Sequence, residues 1–296
     1  MNIIPKKNIF PIIIPTILYN DRWNNQDSFI EMNPTMVINN EGEYTILIRT
    51  VNYRKNRNKA SVCYGTDSAS IYHTIQGQIN EEFNLDNCSV SISKIQYNLP
   101  KYKTWWYGLE DIRFIDKETI LVCVPELNPN GEPCIFRAKV SGDIIGDFER
   151  CEPNMIEKNW MPFTYNNEYK VIYSLSPFII KSIVENDMEE IILDEETKKK
   201  LKGWHGSTNG IDLFGEKLFL IHKNELYKTF NMWLLYNPQS KKITISNPFN
   251  FFKYSFIEFA CSLSVYNNKI FVGLGINDSK AFIIELDQYD IMKLFV

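Results

Sequence analysis

The sequence predicts an all-β fold, a five-bladed β-propeller, from three observations. A strand–turn–strand unit recurs five times, the later units fall about fifty residues apart, and helical periodicity is weak nearly everywhere. The turns are Asn39–Gly42, Asp116–Glu118, Asn166–Glu168, Gly215–Lys217 and Asn267–Lys269. Each combines residues that tolerate tight backbone with polar side chains, and each precedes a run rich in β-branched or aromatic residues. Those runs are Tyr44–Arg49, Thr119–Val124, Tyr169–Ser174, Leu218–His222 and Ile270–Gly275. Further strand-like pieces, Cys134–Val140, Met232–Tyr236 and Ala281–Leu286, fit the outer strands of the same units. The wider first interval has room for an inserted loop, and Asp194–Lys202 reads as a short helix.

A two-sheet sandwich or two small β domains would also give regular hairpins. The propeller is preferred because ring closure removes most exposed sheet edges from so many strands. The expected organisation is one domain over residues 1–296, with 1–32 as the segment that closes the ring. In such a ring the innermost strands converge on a central funnel. Polar residues near the ends of successive hairpins then become neighbours despite their distance in sequence.

Composition excludes several function classes. A net charge of -4 and the absence of a basic face argue against nucleic-acid binding. The run Lys198–Lys200 follows five acids, Glu189, Glu190, Asp194, Glu195 and Glu196, and reads as a solvated surface. Six scattered cysteines (Cys63, Cys88, Cys123, Cys134, Cys151, Cys261) lack metal-ligand spacing and are expected as reduced thiols, with one disulfide left open. The apolar stretch Ile9–Leu18 is interrupted by Pro11 and Pro15, and no small-residue cleavage site follows it. No membrane span is expected, and the expected location is the cytoplasm. No oligomeric state can be read from the sequence.

The hairpins carry a distinctive set of polar residues. The first contributes Asn33 and Arg49; the second is preceded by Tyr107-Gly108-Leu109-Glu110-Asp111-Ile112-Arg113 and the third by Glu157-Lys158-Asn159-Trp160. The fourth follows Trp204-His205-Gly206-Ser207 and ends at His222, and the fifth follows Glu258 and leads to Asp278. Acids, cations, amides and aromatic rings gathered in one funnel suit a sugar: planar groups for hydroxyls, ring faces for the apolar side, a carboxyl to protonate a leaving oxygen.

At these residues the chain resembles the inverting β-mannoside phosphorylases and their hydrolytic relatives, a family of five-bladed propellers (glycoside hydrolase family 130). The resemblance runs from Asn33-Pro34 to the end. It also rests on Arg49-Thr50-Val51-Asn52-Tyr53, Gly108–Arg113, Glu157–Trp160 with Pro162-Phe163, Tyr173–Pro177, Gly206-Ser207, His222 and Gly273–Asp278. It implies attack of inorganic phosphate, the co-substrate, on the anomeric carbon of a β-mannoside, with Asp111 as the single proton donor. Arg49, Arg113, Lys158 and His222 are the implied phosphate ligands. Asn33, Tyr107, Glu110, Asn159, Trp160, His205, Ser207, Glu258 and Asp278 are the candidate substrate contacts, with Trp160 or Tyr107 stacking on the sugar. Two departures stand out: Ile112 replaces the proline of the family's Glu-Asp-Pro-Arg motif, and Trp204-His205-Gly206-Ser207 stands where relatives carry Arg-Gly-Gly-Ser.

No metal or organic cofactor is implied, and the expected partner is an oligosaccharide or other glycoside. The alternatives are a hydrolase with Glu258 as the second acid, a mannosyltransferase, or a non-catalytic glycan-binding propeller. Three cations around Asp111 would favour phosphorolysis, and a second carboxyl placed to activate water would favour hydrolysis.

Overall fold

The computed structural model describes residues 7–15, 29–55, 61–63, 68–152, 156–185, 187–225 and 228–295. Five antiparallel sheets follow one another along the chain. The first blade holds β2 (Ile30–Ile38), β3 (Glu43–Val51), β6 (Ser68–Gln78) and β7 (Ser89–Ile92), with a small hairpin, β4 (Tyr53–Lys55) and β5 (Ser61–Cys63), inserted after β3. The second holds β10 (Glu110–Phe114), β11 (Thr119–Cys123), β12 (Ile135–Ser141) and β13 (Ile144–Arg150). Before it, β8 (Lys94–Ile95) pairs with β13 in parallel, and β9 (Trp106–Tyr107) pairs with β6 in parallel. The third holds β14 (Met161–Tyr165), β15 (Glu168–Leu175), β16 (Phe178–Ser182) and β17 (Met188–Ile191).

In the fourth blade the innermost strand is split into β18 (His205–Gly206) and β19 (Ile211–Leu213), both paired to β20 (Glu216–Glu225), followed by β21 (Lys228–Asn237) and β22 (Lys242–Ile245). The fifth holds β23 (Glu258–Tyr266), β24 (Lys269–Ile276) and β25 (Lys280–Asp287). Its fourth strand comes from the other end of the chain: β1 (Lys7–Ile12) pairs antiparallel with β25, Lys7 opposite Leu286 and Ile12 opposite Ala281. The short helix α1 (Glu195–Leu201) starts where the sequence places it, with the Asp194 side chain accepting from the Thr197 N–H as its N-cap. A second helix, α2 (Gln288–Met292), follows β25.

All five turns read from the sequence join the innermost strand of a blade to its second strand. Asn166 and Asn167 have φ of 52° and 62°, and Asn267 and Asn268 have 47° and 61°. Two successive left-handed residues match the twist of a two-residue hairpin, and asparagine tolerates that region better than most side chains. The first two turns are held differently: Asn39 Oδ1 accepts from the Glu41 and Glu43 N–H groups, and Asp116 Oδ1 from those of Glu118 and Thr119.

The apolar side chains explain why the ring closes. Among the described residues they form five clusters, one at each joint between consecutive blades. Leu47 and Tyr72 pack with Ile112, Val122 and Phe136; Leu121 and Ile135 with Trp160 and Val171. Phe163 and Ile172 pack with Phe219 and Leu234, and Leu220 and Trp233 with Leu263 and Val272. Phe271 and Ile283 complete the circuit against Ile46 and Ile48. Each blade is covered on both faces, so central strands such as Lys269–Ile276 are buried almost continuously rather than alternately. Polar bonds tie the inner strands together. The Ser262 hydroxyl accepts from Met36 N and Ser264 donates to Met36 O, while Asn209 makes two bonds to the Leu263 backbone.

Cys88, Cys123, Cys134, Cys151 and Cys261 are free thiols; the side chain of Cys63 lies outside the described residues. No helix among the described residues is long and apolar enough to cross a membrane.

Candidate active site

Inner strands run the same way around the axis, so their starting ends, together with the finishing ends of the second strands, form one mouth. Asn33 lies near the start of β2, Arg49 near the end of β3, Glu110 and Asp111 open β10, and Lys158 and Asn159 precede β14. His205 and Ser207 lie at the start of the fourth blade's inner segment, His222 near the end of β20, and Asp278 just after β24.

Asp111 sits at a break in strand register between Glu110 and Arg113, with φ 50°. A bulge of this kind re-aims a side chain that regular alternation would send between blades. Asn33 lies in the matching break between Met32 and Thr35, with φ 46°. Its Nδ2 donates to Asp111 Oδ1 at 3.1 Å. The close approach needs glycine opposite: a Cβ on Gly275 would lie 2.1 Å from Asn33 Oδ1.

The cations surround this carboxyl. Arg49 is 2% exposed and reaches Glu110 Oε1 at 3.2 Å, Asp111 Oδ1 at 3.7 Å and the Tyr53 hydroxyl at 3.0 Å. Burial works against its charge, but Tyr53, Glu110, Tyr72 and Asp111 outweigh that, and its proton affinity rises. Its Nε is buried with no hydrogen-bond partner among the described residues. Arg113, also buried, donates from Nε to Ser207 O at 2.5 Å, from Nη1 to Asp111 O at 3.4 Å and from Nη2 to Asn159 Oδ1 at 3.4 Å. Burial lowers its proton affinity, with Asp111 opposing, yet a guanidinium stays charged. Lys158 reaches Glu110 Oε2 at 3.4 Å; burial disfavours its charge, Glu110 favours it, and its pKa rises. Glu110 therefore bridges Arg49 and Lys158.

His222 departs from the expected role as a cation. It is 6% exposed, and burial, the neighbouring His205 and Arg113 push its pKa down to about 3. It is a neutral imidazole whose Nδ1 has no hydrogen-bond partner among the described residues, with its ring 5.8 Å from that of His205. His205 itself is exposed and lines a cleft of about 270 Å³ with Lys158, Asn159, Tyr173, Ser176 and Trp204.

Other expected contacts are placed differently. Trp160 is 1% exposed, packed edge-on against Tyr173, with its indole N–H given to Glu157 Oε2 at 2.9 Å; it has no free face for a sugar. Glu258 is fully buried and accepts from Asn231 Nδ2 at 2.9 Å, the Phe251 and Phe252 N–H groups at 2.8 Å each, and the Ser255 hydroxyl. Four donors occupy it, so it braces the turn before β23 rather than presenting a base to water. The Ser207 hydroxyl donates to Ala260 O at 2.6 Å, and its carbonyl is what meets Arg113. Tyr107 is half-buried on β9, its carbonyl 3.4 Å from the Ser70 hydroxyl. Asp278 is half-buried with φ 49°, and its charge is felt by Tyr53.

Four residues outside the sequence-derived set belong to this cluster. The Tyr53 phenol accepts from Arg49 and is pushed up to about 12, chiefly by burial. Tyr72 faces Arg49 across the β3–β6 pair, fully buried, its hydroxyl without a hydrogen-bond partner among the described residues. Trp106 lies beneath Lys158, whose ammonium is 5.2 Å from the ring centroid. Cys261 is buried at the β23 bulge, its pKa raised by burial and by Asp111. Tyr53 closes the motif that Arg49 opens and Trp106 adjoins Tyr107, so both were within reach of the sequence; Tyr72 and Cys261 enter only through strand register. Among the described residues no group of three or more His, Cys, Asp or Glu side chains is placed to hold a metal ion.

No family model and no curated protein matches this sequence. Solved structures do match. β-1,2-Mannobiose phosphorylase from Listeria innocua superposes with a TM-score of 0.63 at 14% identity, over 97% of this chain and 99% of that one. Glycoside hydrolases of the GH130 family of mannoside phosphorylases, which target β-1,2 mannosidic linkages in Candida mannan, give 0.56 at 11% identity over 87% and 84%. A mannose phosphorylase from Leishmania mexicana, in complex with phosphate ion, gives 0.50 at 14% identity over 90% and 86%. At such identities the shared property is the five-bladed fold.

Proposed function

We propose that this chain is a carbohydrate-active enzyme of the β-mannoside phosphorylase type, with Asp111 as its proton donor. The observation that carries the reading is the charge arrangement at the mouth: three cations, Arg49, Arg113 and Lys158, gather around Asp111 and its neighbour Glu110. Three converging cations suit an anionic co-substrate, and they outnumber Glu110 and Asp278 once Asp111 carries the proton it must donate. The fold shared with two phosphorylases supports the same reading.

In this mechanism a phosphate oxygen attacks the anomeric carbon from the face opposite the leaving group. The bond to the aglycone oxygen breaks, its electron pair stays on that oxygen, and Asp111 supplies the proton, directly or through a sugar hydroxyl. The proton of hydrogen phosphate, released as the ester forms, restores Asp111. Products are α-mannose 1-phosphate and the free aglycone hydroxyl. Asn33 and Arg49 orient the carboxyl, Arg113 and Lys158 receive the phosphate with Arg49 Nε as a further donor, and neutral His222 contributes a hydrogen bond rather than charge. Trp106 and Tyr53 replace Trp160 as the aromatic surfaces offered to the sugar.

Hydrolysis is the second reading, and Asp278, half-buried beside Tyr53, is the carboxyl that would serve it. Incubation with β-1,2-mannobiose, with and without inorganic phosphate, separates the two. Mannose 1-phosphate, formed in proportion to phosphate, is the expected product. Free mannose released at the same rate without phosphate would overturn phosphorolysis.

A further inference from the structure

The two site residues Lys158 and Asn159 lie on a non-strand segment, residues 156–160, between β13 and β14. A lysine side chain is long and mobile, and a left-handed backbone at Asn159, φ 63°, is costly. Something must hold the segment. The flanking residues do so: the carboxylate of Glu157 accepts the Trp160 indole N–H on Oε2 at 2.9 Å and the Tyr173 hydroxyl on Oε1 at 2.7 Å. The Glu157 N–H also donates to Pro133 O at 3.0 Å. One carboxylate thus ties the residue before Lys158-Asn159 to the residue after it and to the neighbouring strand β15. Trp160 is buried beneath the Lys181 ammonium, 4.8 Å from its ring, and on the far side a Cβ at Gly206 would lie 2.1 Å from Asn159 O. The Tyr173 phenol is pushed up to about 12 by its bond to Glu157.

We propose that Glu157 is a positioning residue: with Trp160 and Tyr173 it clamps the 157–160 segment so that Lys158 and Asn159 present the anion subsite. It touches no substrate and acts through those two residues. The inference rests on the phosphorylase reading for the identity of the anion. Chemistry distinguishes the variants. Glu157→Gln retains the clamp, because the amide oxygen accepts the indole N–H and the amide N–H₂ donates to a rotated tyrosine hydroxyl. Glu157→Ala removes it and leaves the buried indole N–H without a partner.

The test is titration of inorganic phosphate into folded wild type, Glu157→Ala, Glu157→Gln and Lys158→Ala, paired with the split between KM and kcat. Expected is an affinity for phosphate at least tenfold weaker in Glu157→Ala, matching Lys158→Ala. The same change should appear in KM for phosphate while kcat moves less, and Glu157→Gln should stay within threefold of wild type. A purely structural role would lower the melting temperature of Glu157→Ala and leave phosphate affinity of the folded protein unchanged; that result overturns the clamp. Equal loss in Glu157→Gln and Glu157→Ala also overturns it. Absence of phosphate binding in wild type overturns instead the reading on which the clamp rests.

Discussion

Replacing Asp111 by Asn and, separately, by Ala tests the chemistry and the backbone at once. Asp111 has φ 50°, a region that Asn enters almost as readily as Asp, whereas Ala pays about 1–2 kcal/mol there. Asn also keeps an oxygen for the bond from Asn33, and Arg49 keeps Glu110 at 3.2 Å, so the buried guanidinium is not stranded. The expected stability cost of Asp111→Asn is therefore at most about 1 kcal/mol. Asp111→Ala should melt lower than Asp111→Asn by about 2–8 °C, at roughly 2–4 °C per kcal/mol. Catalysis behaves oppositely. Both variants lose the proton donor, and kcat should fall about 10²–10⁴-fold, equivalent to about 3–5 kcal/mol on the barrier. Phosphate affinity should hold or tighten, since one negative charge has left the pocket. Scanning calorimetry, phosphate titration and mannose 1-phosphate release on the same preparations decide the matter. Turnover within threefold of wild type in Asp111→Asn would refute the acid role, and equal melting of the two variants would refute the backbone argument.

Three further outcomes follow from the geometry. Glu258→Gln turns an acceptor held by four donors into a group whose N–H₂ must face some of them, and should destabilise by about 2–5 kcal/mol with kcat of the folded fraction unchanged. A hundredfold loss of kcat at unchanged melting temperature would instead identify it as a base. Gly275→Ala drives a methyl group into Asn33 and should cost about 1–3 kcal/mol and at least tenfold in kcat through displaced Asp111; wild-type kinetics would contradict the contact. His222 has a pKa of about 3 in the folded state and 6.5 unfolded, so the unfolded chain takes up its proton first. Stability from this group is complete above pH 6.5 and falls by about 3 kcal/mol on reaching pH 4. Urea midpoints of His222→Gln should decline less steeply than wild type between those pH values; identical slopes would refute the assignment.

The architecture was legible because two local signals agree: turns rich in Asn, Asp and Gly, and β-branched runs behind them, evenly spaced after the first. The ring could be inferred because five similar units need a closed arrangement to hide their edges. The polar cluster was half legible. Motif order placed Asn33, Arg49, Asp111, Arg113, Lys158 and Asn159 near the mouth, but a list of residues gives no solvent exposure. Trp160 and Glu258 look like functional side chains in sequence and are consumed by hydrogen bonds that only packing defines. His222 carries no sequence mark of its neutral state, which comes from burial beside Arg113 and His205. Tyr72 lies outside every sequence motif, and only the register of β3 against β6 sets it opposite Arg49.

One device links the fold to the site. Apart from Phe214 and Lys241, every described non-glycine residue with positive φ is Asn or Asp. Some of them, Asn166, Asn167, Asn267 and Asn268, make the hairpin turns at one end of the inner strands. Others, Asn33, Asp111, Asn159 and Asp278, lie at the opposite end, where the candidate site is. A regular strand alternates its side chains between the two faces of a blade and would aim none of them persistently at the axis. A single left-handed residue breaks that alternation, and Asn and Asp adopt the conformation at the lowest cost among side chains that also bond a hydroxyl or give a proton. The residue types a sugar site needs are therefore the ones that can kink the strand toward it. Asn33 and Asp111 also bond each other across the joint between two blades, so these two left-handed positions fix one another's aim.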